Sequence, residues 1–196
     1  MSSLFSLSEL GKSKDPTPLD KSRAKSVCFE EAHLRRIENI KNLSGELPME
    51  GEIIFLWACN SFNAFTFIPY IIKYSGAIEE LCFSTYSINA RIVESLIRWY
   101  DKGVLQSVTI YIADSIKYRM PDVVALLEEQ VKRRKIEIIY AWNHSKVQLL
   151  RSGDNYFVVE GSGNFSENAA NEQYIFLNNK EVYEFRRDCL FDGEKA

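Results

Sequence analysis

The chain has 196 residues, of which 46% are hydrophobic and 13% aromatic, and its formal net charge is −3. This length and composition fit a domain with a sizeable core and exclude a globally disordered chain. The acidic balance, with a pI of about 5.6, excludes a uniformly basic protein that coats nucleic acid, and it leaves room for positive charge concentrated at one site.

The amino-terminal region predicts a mobile arm. Residues 11–26 are polar, carry a basic bias and are interrupted by Pro16 and Pro18, which favours an irregular segment over a packed one. We therefore assign residues 1–26 to a flexible polar arm and residues 27–196 to a single domain. Residues 1–6 lack the charged and long apolar regions of a signal peptide.

Cysteine spacing and apolar run length indicate the cellular setting. The four cysteines show no C-x-x-C spacing and predict neither a zinc site nor a disulfide framework; they are Cys28, Cys59, Cys82 and Cys189. No apolar run approaches the roughly twenty residues that span a bilayer. We expect a cytoplasmic protein with no membrane contact, no metal and no cofactor, and with Cys59 and Cys82 as buried thiols.

From residue 53 onward, strand and helix patterns alternate along the chain. In chain order we predict a strand at 53–59, a helix at 62–74, strands at 81–84 and 108–113 around a helix at 88–100, a helix at 121–134, a strand at 136–141, two hairpin strands, a strand at 173–177 and a helix at 180–189. This order predicts an α/β fold with a mixed, mostly parallel sheet flanked by helices on both faces.

Polar residues follow three of these strands. They are Asn60-Ser61, Thr85-Tyr86-Ser87 and Asp114-Ser115. Ligands in open α/β sheets bind beyond the carboxyl ends of parallel strands, so these loops are candidates for a pocket rim. Serine and aspartate also cap helices, and we interpret Ser87 as a helix cap.

A hairpin is predicted near the carboxyl end of the chain. Residues 143–151 and 155–160 read as its strands, and the turn chemistry of Ser152-Gly153-Asp154 separates them. A turn centred on Gly153-Asp154 pairs residues whose numbers sum to about 307. That register puts Lys146 opposite Gly161.

The same register puts His144 opposite Gly163, at the open end of the hairpin. His144 and Lys146 lie two residues apart, so on a regular strand they project from the same face. Gly161 and Gly163 lack side chains, so a phosphate could approach the backbone there. The hairpin is thus predicted to carry the site.

The residue types at this end of the hairpin suit attack on a phosphodiester. An imidazole such as that of His144 can attack phosphorus or protonate a leaving alkoxide. The Lys146 ammonium can neutralise the phosphoryl oxygens. Ser162 and Asn164 can donate hydrogen bonds to those oxygens or orient the imidazole, and Glu172 could hold a histidine in the required tautomer.

This pattern resembles the phospholipase D superfamily, whose signature is H-x-K-x4-D followed by G-S-x-N. The matching residues are His144, Lys146, Gly161, Ser162, Asn164 and, as the later acidic position, Glu172. Arg151 stands where the family has aspartate, and the spacer to the G-S pair is three residues longer than usual. The family assigns catalysis to the histidine and the lysine, so the missing aspartate bears more on the stability of the site than on its chemistry.

The resemblance implies a metal-independent phosphodiesterase that forms a phosphohistidine. A second histidine protonates the leaving oxygen in that mechanism, and His33, with no lysine two residues on, cannot supply it. The resemblance therefore implies a homodimer and, for a small single-motif member, a nuclease with a nucleic-acid substrate. Two alternatives stay open: a catalytically inactive module that binds nucleic acid or phosphate, and a phospholipid hydrolase.

Overall fold

A seven-stranded sheet organises the part of the chain that the computed structural model describes, residues 47–58, 63–166 and 171–192. The predicted arm at 1–26 and its boundary with the domain lie outside these ranges, as do Asn60-Ser61 and Cys59. The strands are β1 (Ile53–Ala58), β2 (Glu80–Thr85), β3 (Val108–Ala113), β4 (Ile136–Ala141), β5 (Val147–Ser152), β6 (Asn155–Gly161) and β7 (Glu172–Asn178).

The strand order across the sheet is β1-β7-β6-β5-β2-β3-β4. The β2–β3 and β3–β4 pairs are parallel, and the other four neighbouring pairs are antiparallel. Following these pairings across the sheet, β1, β2, β3, β4 and β6 point the same way, and β5 and β7 point the opposite way. The predicted mixed sheet is confirmed: five of the seven strands share one direction, although four of the six neighbouring pairs are antiparallel. One edge, called the site edge below, therefore collects the carboxyl ends of those five strands and the amino ends of β5 and β7.

Helices cover both faces of the sheet, as predicted. They are α1 (Phe67–Ser75), preceded by a 3-10 turn at Ala64–Thr66, then α2 (Ala90–Asp101), α3 (Ile116–Arg119), α4 (Pro121–Val131) and α5 (Lys180–Asp192). Side chains of α1, α2 and α4 share one core with alternate residues of the strands. Tyr183 and Leu190 of α5 join Cys82, Leu149 and Val158 in a second core on the opposite face.

Ion pairs fix α5 on the second face. Arg186 binds Glu160 of β6 through two contacts, Nε to Oε1 at 2.5 Å and Nη2 to Oε2 at 2.9 Å. Arg187 Nε donates to Glu80 of β2 at 3.0 Å. The paired geometry of the Arg186 fork adds direction to the hydrophobic contact of the helix.

An apolar strip on β1 and β7 stays exposed beside α5. Phe55 is 69% exposed, Ile53 53% and Trp57 45%, and the neighbouring Ile175 is 36% exposed. The helix packs mainly on β5 and β6, and these four side chains stay largely in solvent beside it.

The hairpin has the predicted register. Val147 pairs with Glu160 and Ser152 with Asn155, which are sums of 307, and Gly153 takes a positive φ of 57° in the turn. The Gly161 N–H donates to the Lys146 carbonyl at 3.2 Å, so the predicted pairing of these residues is confirmed.

Two local predictions need correction. The first hairpin strand begins at Val147 and not at 143, because side-chain hydrogen bonds described below hold the preceding loop. Ser87 does not cap α2: Asn89 does, with Oδ1 accepting the Ile92 N–H at 3.0 Å. The predicted position of Pro121 in the first turn of α4 is confirmed.

Candidate active site

The His144–Lys146 pair lies in the loop between β4 and β5, at the site edge. Lys146 Nζ is 3.2 Å from His144 Nδ1 and donates to the His144 carbonyl at 2.7 Å. An ammonium has no lone pair, so Nδ1 accepts this bond, and a neutral ring in this geometry carries its proton on Nε2. The two motif residues that the sequence placed on one face are thus in direct contact.

A polar network anchored on the buried Ser84 holds the loop that presents this pair. Asn143 Oδ1 accepts from the Ser145 N–H at 2.9 Å and from its hydroxyl at 2.6 Å. The Ser145 hydroxyl lies 2.8 Å from that of Ser84 at the end of β2, and the Ser84 oxygen accepts the Val147 N–H at 3.1 Å. Ser84 is 1% exposed. These bonds replace strand pairing over residues 143–146.

Ser162 and Glu172 form the opposite wall of the site edge. The Ser162 hydroxyl donates to the Glu172 carboxylate and accepts the Gln173 N–H at 3.1 Å. The Ser162 N–H donates to the Gln173 carbonyl at 3.1 Å. Glu172 opens β7 and is 4% exposed. The acid therefore holds the serine, and its predicted action on the histidine tautomer stays a prediction.

Electrostatics link the two walls. Burial lowers the pKa of the Lys146 ammonium from its usual range, and the nearby Glu172 carboxylate opposes that shift. A lysine that is partly desolvated and beside an acid retains a charge that water screens poorly, which suits it to a phosphate.

Asn164 and His144 meet at Tyr86, in the loop after β2. Asn164 Oδ1 accepts the Tyr86 N–H at 3.2 Å, and the Tyr86 and His144 rings have centroids 5.1 Å apart. With its oxygen engaged, the amide nitrogen is the part of Asn164 that can donate to a phosphate. The loop after β2 therefore joins the two halves of the motif.

The motif glycines have a packing role that the sequence did not indicate. A Cβ on Gly161 would lie 2.3 Å from Tyr174 Cδ1 and 2.4 Å from the Gln173 carbonyl oxygen, and a Cβ on Gly163 would lie 2.1 Å from Tyr174 Oη. The Tyr174 ring occupies the space that a side chain would need. Both positions thus require glycine for packing, and their contact with phosphate stays a prediction.

Arg151, which replaces the family aspartate, lies at the far end of β5. Its Nη1 is 2.5 Å from Glu79 Oε2, and its Nε is 4.0 Å from Glu80 Oε2. Arg151 follows Lys146 by five positions along the strand, a distance of about 17 Å. The charge reversal is therefore balanced locally, away from the candidate chemistry.

Two of the three polar loops predicted as a pocket rim, those at 85–87 and 114–115, lie within the described ranges and reach the site edge. The Thr85 hydroxyl accepts the Phe165 N–H at 3.2 Å and donates to the Ser87 carbonyl at 2.9 Å. Asp114 and Ser115 line a cavity of about 290 Å³ that His144 also lines. The Thr85 contacts tie the G-S-x-N loop to β2, and the cavity extends the site toward β3 and β4.

The described ranges contain neither a candidate metal site nor a candidate membrane span. No cluster of three or more His, Cys, Asp or Glu side chains there could hold a metal ion. No helix in the same ranges is long and apolar enough to cross a membrane.

Comparisons with known proteins bear on the fold. No family model matches the chain, and no curated protein matches it. Polyphosphate kinase from Porphyromonas gingivalis superposes with a TM-score of 0.54 at 16% identity, over 72% of this chain and 26% of the kinase.

Two further solved structures align less well. TrmBL2, an archaeal chromatin protein, has a TM-score of 0.49 at 12% identity, over 72% of this chain and 52% of that one. Phosphatidylserine synthase from Haemophilus influenzae has a TM-score of 0.48 at 9% identity, over 81% and 45%. The chain thus spans about a quarter to a half of the length of these proteins. Over the aligned 72% of the chain, the mixed seven-stranded sheet with flanking helices shares its fold with the polyphosphate kinase.

Proposed function

We propose that this protein is a metal-independent phosphodiester hydrolase, a nuclease, that works through a phosphohistidine at a site shared by two copies of the chain. The observation that carries the proposal is the contact of Lys146 with His144 at the same sheet edge as the Ser162–Glu172 pair. The resemblance of the motif to the phospholipase D superfamily and the fold shared with the polyphosphate kinase support phosphoryl-transfer chemistry in general. We propose that the particular reaction is hydrolysis.

In the first step, the Nε2 lone pair of His144 attacks phosphorus. A P–N bond forms as the bond from phosphorus to the leaving oxygen breaks, and that oxygen takes a proton from His144 of the partner subunit. Attack requires the ring proton on Nδ1, where Lys146 now donates. An incoming phosphate offers Lys146 a stronger, charged acceptor, so substrate binding draws the ammonium away. The ring then loses its Nε2 proton to solvent and takes a proton from solvent at Nδ1, which exposes the Nε2 lone pair.

In the second step, water attacks the phosphohistidine. The water oxygen bonds to phosphorus, the P–N bond breaks, and His144 of the partner subunit accepts the proton that the water loses. Lys146 and the Asn164 amide stabilise the charge on the phosphoryl oxygens in both steps. Glu172 keeps Lys146 charged and holds Ser162.

The need for two histidines supports the homodimer. The sequence contains two histidines, His33 and His144, and only His144 is followed by a lysine two residues later. A second copy of the chain related by two-fold symmetry supplies a second His144, so that one histidine is the nucleophile and the other is the acid. The proposed site uses the Lys146 ammonium where other phosphodiesterases use a metal ion, so chelators should leave the activity intact.

Single-turnover hydrolysis tests this proposal. Cleavage of bis(p-nitrophenyl) phosphate and of DNA is measured in EDTA for wild type, His144→Ala and Lys180→Ala, an exposed lysine of α5 whose side chain is 57% accessible. We expect His144→Ala to abolish cleavage with its circular dichroism spectrum unchanged, and Lys180→Ala to match wild type.

Four outcomes would contradict the proposal. Wild-type rates of cleavage in His144→Ala would show that His144 is not the nucleophile. Full loss of cleavage in EDTA with recovery in Mg²⁺ would show that the mechanism requires a metal. Phosphate binding with no turnover on either substrate would favour the inactive binding module. Turnover confined to micellar phospholipid would favour a lipid hydrolase.

A further inference from the structure

The Trp142 side chain is exposed to solvent beside the candidate active site. It follows β4 directly and is 96% exposed. Its Cα is two residues from that of His144, a separation of at most about 7.6 Å. Tryptophan is a costly residue to leave in water, and a solitary exposed indole next to a phosphate site is a surface on which a planar ring can stack.

The cavity beside Trp142 is continuous with the candidate active site. Its volume is about 290 Å³, and Tyr86, Asp114, Trp142, Asn143 and His144 are among its lining residues. His144 therefore faces both the position of the scissile phosphate and this cavity. A group held here belongs to the nucleotide adjoining that phosphate.

The charges of the cavity favour a neutral ring over a second phosphate. The exposed Asp114 carboxylate repels an anion and accepts hydrogen bonds from base N–H groups. Arg119 is the nearby cation: its guanidinium lies over the Tyr86 ring at 4.0 Å and donates to the Tyr86 carbonyl at 2.8 Å. Arg119 thus fixes the Tyr86 wall of the cavity.

We propose that this cavity is a subsite for one unstacked base of single-stranded nucleic acid, with Trp142 as its stacking surface. The inference rests on the proposed nuclease function and names its substrate class. A base inside a duplex is stacked on both faces and cannot reach the indole, whereas single-strand binding proteins use aromatic side chains in this way.

The test is binding of fluorescein-labelled oligothymidylate, followed by the initial fluorescence anisotropy after mixing, with the length of the strand checked afterwards on a denaturing gel. The variants are Trp142→Ala, Trp142→Phe and, as the matched control, Trp57→Ala, which removes an exposed indole on β1. We expect Trp142→Ala to weaken binding roughly tenfold, within the range of one base–aromatic stack. Trp142→Phe should recover most of the loss, and Trp57→Ala should bind as wild type does.

An abasic strand of the same length identifies the contact. It keeps every phosphate and lacks the bases, so it should bind wild type and Trp142→Ala equally. Equal weakening of the abasic and thymidylate strands by Trp142→Ala would mean a backbone contact and would overturn the subsite. Tighter binding of a blunt duplex than of the single strand, equally dependent on Trp142, would also overturn it.

The outcomes separate this inference from the proposed function. Base-dependent binding through Trp142 with no hydrolysis of any phosphodiester would keep the subsite and reject the nuclease. Hydrolysis that requires His144, together with wild-type binding of oligothymidylate by Trp142→Ala, would keep the nuclease and reject the subsite.

Discussion

At the scale of single residues, the proposed mechanism predicts that the charge of Lys146 sets the alkaline limit of activity. Burial lowers its pKa and the Glu172 carboxylate opposes that shift. The ammonium is lost as pH rises through this lowered pKa, so kcat/KM should fall at a pH below the usual range for lysine.

Two substitutions check this assignment through the pH profile of kcat/KM. Lys146→Arg, whose guanidinium stays charged, should remove the alkaline fall while lowering the rate through altered geometry. Glu172→Gln removes the charge that raises the Lys146 pKa, so the fall should move to lower pH. An unchanged profile in both variants would assign the limit to another group.

The contact of Tyr174 with the motif glycines gives a stability prediction. Gly163→Ala drives a methyl against Tyr174 Oη and should cost about 1–3 kcal/mol of unfolding free energy. Tyr174→Phe removes that oxygen and should recover much of the loss. Gly161→Ala also meets the Gln173 carbonyl oxygen, at 2.4 Å, so Tyr174→Phe should not rescue it. Urea unfolding of the double-mutant cycles measures both, and equal rescue of the two glycine variants would contradict the packing role.

The sequence indicated the candidate side chains of the site, and it did not indicate the residues that support them. His144 and Lys146 stand out because two short motifs specify them. Ser84 at the end of β2 and Tyr86 in the loop after it support them from about sixty residues earlier, and a lone serine or tyrosine there carries no signal of that contact. Tyr174 falls within the predicted strand at 173–177. Its contact with Gly163 depends on side-chain packing that the strand pattern does not encode.

At the scale of elements, the β5–β6 hairpin was predictable because its turn and register are local. Gly153 takes the positive φ that the turn requires, and alternation fixes the pairing. The start of β5 was not predictable, since Asn143 and Ser84 divert residues 143–146 through side-chain bonds. The four-residue α3 was also missed, because one turn of helix shows no periodicity.

Arg151 gives the prediction at this scale. It lies opposite Glu80 in the β2–β5 ladder and pairs with Glu79. Arg151→Asp, the family residue, places like charges across the strands and should cost about 1–2 kcal/mol, more than Arg151→Ala. The change lies far from Lys146, so single-turnover rates should stay at the wild-type level. Thermal unfolding and the hydrolysis assay check both parts, and a stabilised Arg151→Asp would contradict this account.

At the scale of the whole molecule, the layers were predictable and the strand order was not. Alternating strand and helix patterns indicate a sheet covered on both faces. The insertion of β7 between β1 and β6 depends on contacts between residues more than a hundred positions apart, which no local pattern encodes. The shared direction of five strands brings the polar loops to one edge, so the site follows from an order that the sequence did not reveal.

The proposed homodimer makes a quantitative prediction. Wild type and His144→Ala are mixed in equal amounts and allowed to exchange subunits, and hydrolysis is compared with that of the same total amount of wild type. Random pairing leaves about one quarter of the dimers with two histidines at the site, so activity should fall to about one quarter. Sedimentation establishes the mass. A value of about one half, or full activity of a monomer, would mean that each chain works alone.

The covalent intermediate tests the central claim most directly. Protein turning over a phosphodiester is quenched at alkaline pH, where phosphohistidine persists, and its intact mass and peptides are measured by mass spectrometry. We predict a phosphoryl-linked adduct on the peptide that contains His144, absent from His144→Ala and present in EDTA. Hydrolysis by wild type with no adduct at any time, or an adduct on another residue, would contradict the account.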